Sequence, residues 1–177
     1  MYSLLSRLLP THESPPPAPR RIVLILPCCI GDVVLGTAVL CALRRAYPDA
    51  HITWAVGSWS KAAISQHDAL DAVLDVGPQA LPVKSLKGFI DFVGKLRAGH
   101  FDLAVSLVRS PLMSAAVMLS GIPHRAGLDS DGRGFGYHIR ASITPTARRH
   151  EADIYLDVAR ALGVDVSGCW ANIPVLE

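Results

Sequence analysis

The chain has 177 residues, 50% of them hydrophobic and 18% charged, which suffices for one well-buried domain and is too short for two of ordinary size. Its net charge of +2 comes without an aromatic-rich basic motif, so no nucleic-acid partner is expected. The mean hydropathy of +0.33 would suit a membrane protein, but no apolar run approaches the roughly 20 residues that span a bilayer.

The N-terminus lacks the charged, apolar and small-residue order of a secretory signal, so a cytoplasmic domain is expected. Leu4, Leu5, Leu8 and Leu9 would line one side of a short helix carrying Arg7, a candidate for peripheral membrane or partner contact; a frayed terminus is the plainer reading. The run Ser14-Pro15-Pro16-Pro17-Ala18-Pro19 favours an extended linker. Residues 1–20 are therefore set apart from the domain.

From Arg21 onward, short β-branched runs alternate with helical stretches, the pattern of a parallel sheet covered on both faces. Ile22 to Leu26 is continuously apolar, as a strand buried on both faces should be. Val33 to Tyr47 reads as a helix ended by Pro48, His51 to Val56 as a strand, Ser58 to Gln66 as a short helix and Ala72 to Val76 as a strand. Leu86, Phe89, Ile90, Val93 and Leu96 put helical spacing on 85–98, and Phe101 to Leu107 follows as a strand. Ser110 and Pro111 mark the start of a helix over 112–120, with Gly121 as its stop. His124 to Leu128 reads as a fifth strand, and Glu151 to Leu162 as a last helix closed by Gly163. Periodicity then fades, and 167–177 reads as the start of a linker.

In such a sheet, ligands bind at the carboxyl ends of the strands. The first loop there, Pro27-Cys28-Cys29-Ile30-Gly31-Asp32, lacks both the G-x-x-x-x-G-K-[ST] pattern of a phosphate loop and the G-x-G-x-x-G pattern of a dinucleotide site. The cluster Gly132-Arg133-Gly134-Phe135-Gly136 has the wrong spacing for either and reads as a turn. Asp32 is the carboxylate that the first loop brings to the mouth of the sheet, where it could take a proton from a sugar hydroxyl. By position alone it reads rather as a helix N-cap. Cys28 and Cys29 have no histidine placed beside them and read as small packing residues. With Cys41 and Cys169 standing alone and no C-x-x-C pair, neither a metal nor a redox motif is expected. Arg125, Arg133, Arg140, Arg148 and Arg149 gather between Pro123 and His150, either as an anion-binding face or as a solvated basic one.

The stretch Ile25 to Pro48, with Gly31-Asp32-Val33-Val34-Leu35 at its centre and Leu43 to Ala50 at its end, resembles the opening signature of the family-9 heptosyltransferases. Ile52 to Val56, Phe101 to Val105, Arg125 to Leu128 with Gly132 to Gly134, and His150-Glu151 continue the resemblance in the same order over roughly residues 21–166. The resemblance implies a Rossmann-like acceptor-side domain, the N-terminal half of a GT-B fold. It also implies an inverting enzyme that moves heptose from an ADP-activated donor to a lipopolysaccharide-core glycolipid, with no further cofactor. Asp32 then becomes the catalytic base rather than only a cap. Gly31, Arg109 and Arg133 are candidate acceptor contacts, and Lys84 and Lys87 candidates for meeting a charged lipid, each of these basic residues reading at least equally as solvated surface. The chain departs from the family at Leu26, where a basic residue is common, and in length: the donor domain is not within 1–177, so a donor-domain chain is an expected partner and transfer by this chain alone is not expected. The alternative is a Rossmann-like binding module that has kept the fold without catalysis.

Overall fold

The computed structural model describes residues 18–143 and 149–173. The N-terminal leucine face, most of the proline run, Arg148 and the chain from 174 onward lie outside them. The elements run β1 (Arg21–Ile25), α1 (Ile30–Ala46), β2 (His51–Val56), β3 (Ala72–Asp75), α2 (Leu86–Ala98), β4 (Leu103–Ser106), α3 (Pro111–Leu119), β5 (His124–Asp129), β6 (Ile139–Ser142) and α4 (Glu151–Ala161). All six strands join one parallel sheet in the order β3-β2-β1-β4-β5-β6. The expected Rossmann-like architecture is present.

The sequence explains the centre of that order. Ile22, Val23, Leu24 and Ile25 of β1 and Leu103, Ala104 and Val105 of β4 are all 0% exposed, so these neighbours must be covered on both faces. Their register, Ile22 opposite Leu103, is fixed at its open end by Asp102, whose Oδ2 accepts the Arg20 and Arg21 amides at 2.8 and 2.9 Å. Asp71 does the same beside β2, accepting the Ile52 amide at 2.7 Å and pairing with Arg44.

Right-handed crossovers then decide the layers. The chain leaves β1 to one side through α1 and returns from β3 to β4 on the other through α2, so α1 and α2 cover opposite faces. Accordingly α1 packs on α4, and α2 on α3. Trp54 of β2 fills the α1 layer: a Cβ on Gly36 would lie 2.9 Å from Leu26 Cδ2 and 3.1 Å from the Trp54 indole, so helix and sheet approach closely there and a larger residue would need its neighbours to shift.

Three expectations are corrected. Helix α1 starts at Ile30, three residues before the expected start, so Asp32 lies in its first turn and is not the N-cap; that position is Cys29. Residues 58–66 form no α-helix but successive tight turns around a 3₁₀ segment, Lys61–Ala63. Ser60 and Ile64 are fully buried there while most of the segment is exposed, and so few anchors make no amphipathic stripe. Strand β6 was not expected, because Gly132 to Gly136 made the surrounding segment read as a turn.

Candidate functional site

Strand order reverses direction at β1, whose two neighbours are reached by crossovers on opposite faces. The loops leaving the adjacent carboxyl ends of β1 and β4 therefore border a crevice, the usual place for a ligand in an open α/β sheet. The first loop carries Cys28 to Asp32 and the second Arg109.

The entry into α1 is unusual. Cys29 holds φ 48° and ψ 118° and caps no amide with its side chain. A non-glycine residue in such a region typically stores about 1–3 kcal/mol and persists where the surroundings enforce it. Gly31 and Ile30 are exposed, and a Cβ on Gly31 would meet nothing within 4 Å. The fold thus has no steric need for glycine at this helical position, where it costs about 0.5–1 kcal/mol against alanine. Asp32 is half-buried, and among the described residues its carboxylate accepts no hydrogen bond and joins no ion pair. Cap and base were the two readings of Asp32; the geometry removes the cap. The sulfurs of Cys28 and Cys29 lie against each other beside the Asp32 carboxylate.

Helix α4 brings a second group to the same edge. Arg109, partly exposed after β4, forms an ion pair with Glu151 in the first turn of α4. One turn further, Tyr155 is 4% exposed. Burial raises its hydroxyl pKa far above the ordinary phenol range, and the negative charges of Asp32 and Glu151 add to the effect. Tyr155 thus feels the charges of Asp32, Glu151 and Arg109 and stays neutral. Glu151 and Tyr155 were not singled out from sequence. Their spacing of four residues puts them on one face of a helix, but only the packing of α4 on α1 aims that face at Asp32.

The basic cluster divides. Arg125 donates to the carbonyls of Ile122 and Gly136 at 2.6 and 2.9 Å and to His138 at 2.6 Å, and Arg140 donates to those of Tyr137 and Phe135 at 2.8 and 3.0 Å. These two hold the β5–β6 connection together, and Arg149 pairs with Asp153 and Asp157. Arg133 is exposed and, among the described residues, has no side-chain partner. It sits on the β5–β6 connection, while Arg109 and Gly31 border the Asp32 crevice. Cavities of ≈ 760 and ≈ 710 Å³ lie along α2 and between α4 and residues 166–171; neither is lined by Asp32 or Arg109.

No protein-family model and no curated protein sequence matches the chain. Solved structures do. The glycosyl transferase family 9 protein from Veillonella parvula DSM 2008 superposes with a TM-score of 0.72 at 25% identity, over 89% of this chain and 45% of that one. ADP-heptose LPS heptosyltransferase II of E. coli gives 0.69 at 19% identity, over 89% and 47%. The E. coli heptosyltransferase WaaC with ADP gives 0.64 at 17%, over 84% and 49%. The chain spans about half the length of each. Over that half, its fold is the one found in family-9 glycosyltransferases and ADP-heptose heptosyltransferases.

Proposed function

We propose that the chain is the acceptor-binding half of an inverting glycosyltransferase that moves a sugar, heptose from an ADP-activated donor, onto a lipopolysaccharide-core or related glycolipid. The observation that carries this reading is the Asp32 carboxylate, which among the described residues has no hydrogen-bond or ion-pair partner, beside the unhindered Gly31 at the point where the strand order reverses. As the acceptor hydroxyl attacks the anomeric carbon of the donor, the bond from that carbon to the nucleotide diphosphate breaks, and Asp32 takes the hydroxyl proton. Attack from the face opposite the leaving group inverts the centre. Gly31 lets the acceptor approach the start of α1 closely, while Arg109 and the exposed Arg133 meet its anionic groups.

This edge of the sheet fits a cleft whose other wall is a donor-binding domain, in this chain's parent protein or in a partner. Among the described residues no helix is long and apolar enough to cross a membrane. The reading places the protein in the cytoplasm, meeting its glycolipid at the membrane surface.

The acceptor half can be tested without the donor. Titrating a lipopolysaccharide-core glycan into the labelled chain should shift the amide resonances of Gly31, Asp32 and Arg109 while leaving those of α2 in place. Saturable shifts confined to other surfaces, or none at all, would contradict the assignment. Saturable shifts here, with no turnover when a donor domain is supplied, would mean a binding module that lacks catalysis.

A further inference from the structure

Two thiols that the proposed reaction does not use lie against each other, although 128 residues separate them in sequence. Cys41, on α1, is half-buried and lines a cavity of ≈ 470 Å³ with Arg44, Arg45, His67 and Asn172. Cys169 is 3% exposed, and its sulfur accepts a hydrogen bond from Cys41 Sγ at 3.2 Å. A disulfide needs closure to about 2.05 Å, which is a local movement.

The segment that carries Cys169 is held in register on α1 from both ends. Arg45 donates to the carbonyls of Ser167 and Asp165 at 2.7 and 2.9 Å. Beyond Cys169, the Asn172 amide donates to Thr37 Oγ1 at 2.9 Å, and the Asn172 side chain meets His67 at 2.9 Å. The two sulfurs are therefore brought together by contacts independent of either, which gives each a high effective concentration at the other.

We propose that Cys41 and Cys169 form a peroxide-modifiable dithiol site that closes to a disulfide and fastens residues 165–172 to α1. The exposed side of Cys41, open to the cavity, is attacked first: its thiolate displaces hydroxide from hydrogen peroxide and becomes a sulfenic acid. Cys169 then attacks that sulfur, forming the S–S bond and expelling the sulfenic oxygen, which leaves as water with the Cys169 proton. In sum, two thiols and one hydrogen peroxide give one disulfide and two waters. Burial, then the hydrogen bond and charge of Cys41, push the Cys169 thiol up to about 11. This keeps it protonated and out of the first step, so that it acts as the resolving partner.

The test uses the full chain carrying Cys28→Ser and Cys29→Ser, because Cys28, Cys29 and Cys41 share one tryptic peptide. After reduction, removal of reductant and one equivalent of hydrogen peroxide, the chain should become roughly 2 Da lighter. Both thiols should be lost to titration, and a peptide joined through Cys41 and Cys169 should appear. The thermal midpoint should rise by about 5–15 °C and return on reduction. With Cys169→Ser added, Cys41 should instead gain about 16 Da, trapped by a sulfenic-acid reagent. Two free thiols after treatment, or oxidation beyond the sulfenic acid without the joined peptide, would overturn the proposal. If the doubly substituted chain does not fold, the wild-type chain decides the same question, because fragmentation of the joined peptide identifies which cysteine is linked to Cys169.

Discussion

At the scale of the residue, Gly31 separates what folding requires from what a ligand requires. Its helical position has open space where a Cβ would stand, so Gly31→Ala should stabilise the chain by about 0.5–1 kcal/mol. On the proposed function the same methyl group would stand in the path of the acceptor, and affinity for the acceptor glycan should fall. A thermal midpoint and a titration on the same variant check both halves; a loss of stability would mean that the fold does need this glycine. Tyr137 is the opposite case, a side chain explained by folding alone. It is 1% exposed and donates to Ser106 Oγ at 2.9 Å, joining the β5–β6 connection to the end of β4. Tyr137→Phe leaves that hydroxyl without its donor in a dry site and should cost about 1–2 kcal/mol in denaturant unfolding.

At the scale of the element, the β5–β6 connection combines turn chemistry, with Asp131 and Gly132 at φ 55° and 78°, with close approach of its backbone to its neighbours. A Cβ on Gly136 would lie 2.3 Å from the Ser114 carbonyl, and one on Gly127 would lie 2.5 Å from the Tyr137 ring. The first clash is with backbone on α3, so Gly136→Ala should destabilise by roughly 1–3 kcal/mol, read as a lowered denaturant midpoint with an unchanged slope. This also explains which elements were legible in the sequence. β1 and β4 announce themselves as unbroken apolar runs because both their faces are covered. β6 is an edge strand whose signal is the alternation of Tyr137, Ile139 and Ala141, all buried, and the neighbouring glycines hid it. Gly136 is there because α3 presses on the backbone, Gly134 because the end of β5 does, and Gly132 because the turn takes φ 78°. The start of α1 was misplaced because Asp32 is a favoured cap residue, whereas the helix begins at Cys29 in a strained conformation that no propensity favours. Gly31 and Asp32 were legible because they fall in one loop after the first strand. Glu151 and Tyr155 were not, since their relation to Asp32 depends on how α4 packs.

At the scale of the whole molecule, several carboxylates join distant parts of the chain, and their titration should govern acid stability. Burial alone would raise the Asp71 pKa, but the Ile52 amide and Arg44 outweigh it and hold the carboxyl below its ordinary value. Hydrogen bonds from Ser58 and the Gly77 amide do the same for Asp75. A carboxyl with a lowered folded pKa contributes fully above its unfolded value of about 4, and that contribution is lost as pH falls through the folded value. The thermal midpoint should therefore drop as pH is lowered from about 5 to about 3, and Asp71→Asn should flatten the drop; an equally steep fall in that variant would assign it to other groups. The central claim concerns the same chemistry beside Gly31: a carboxylate with no hydrogen-bond or ion-pair partner among the described residues is proposed to take a proton. Its direct measurement is turnover of Asp32→Asn beside its thermal midpoint, in an enzyme that joins this chain to a donor-binding domain and is supplied with an ADP-activated heptose and an acceptor glycan. Since Asp32 caps no helix, the variant should keep its midpoint, losing at most the favourable charge at the helix start, about 0.3–1 kcal/mol. Turnover should fall about 100- to 10,000-fold with the loss of the base. Near-normal turnover with an unchanged midpoint would contradict the account.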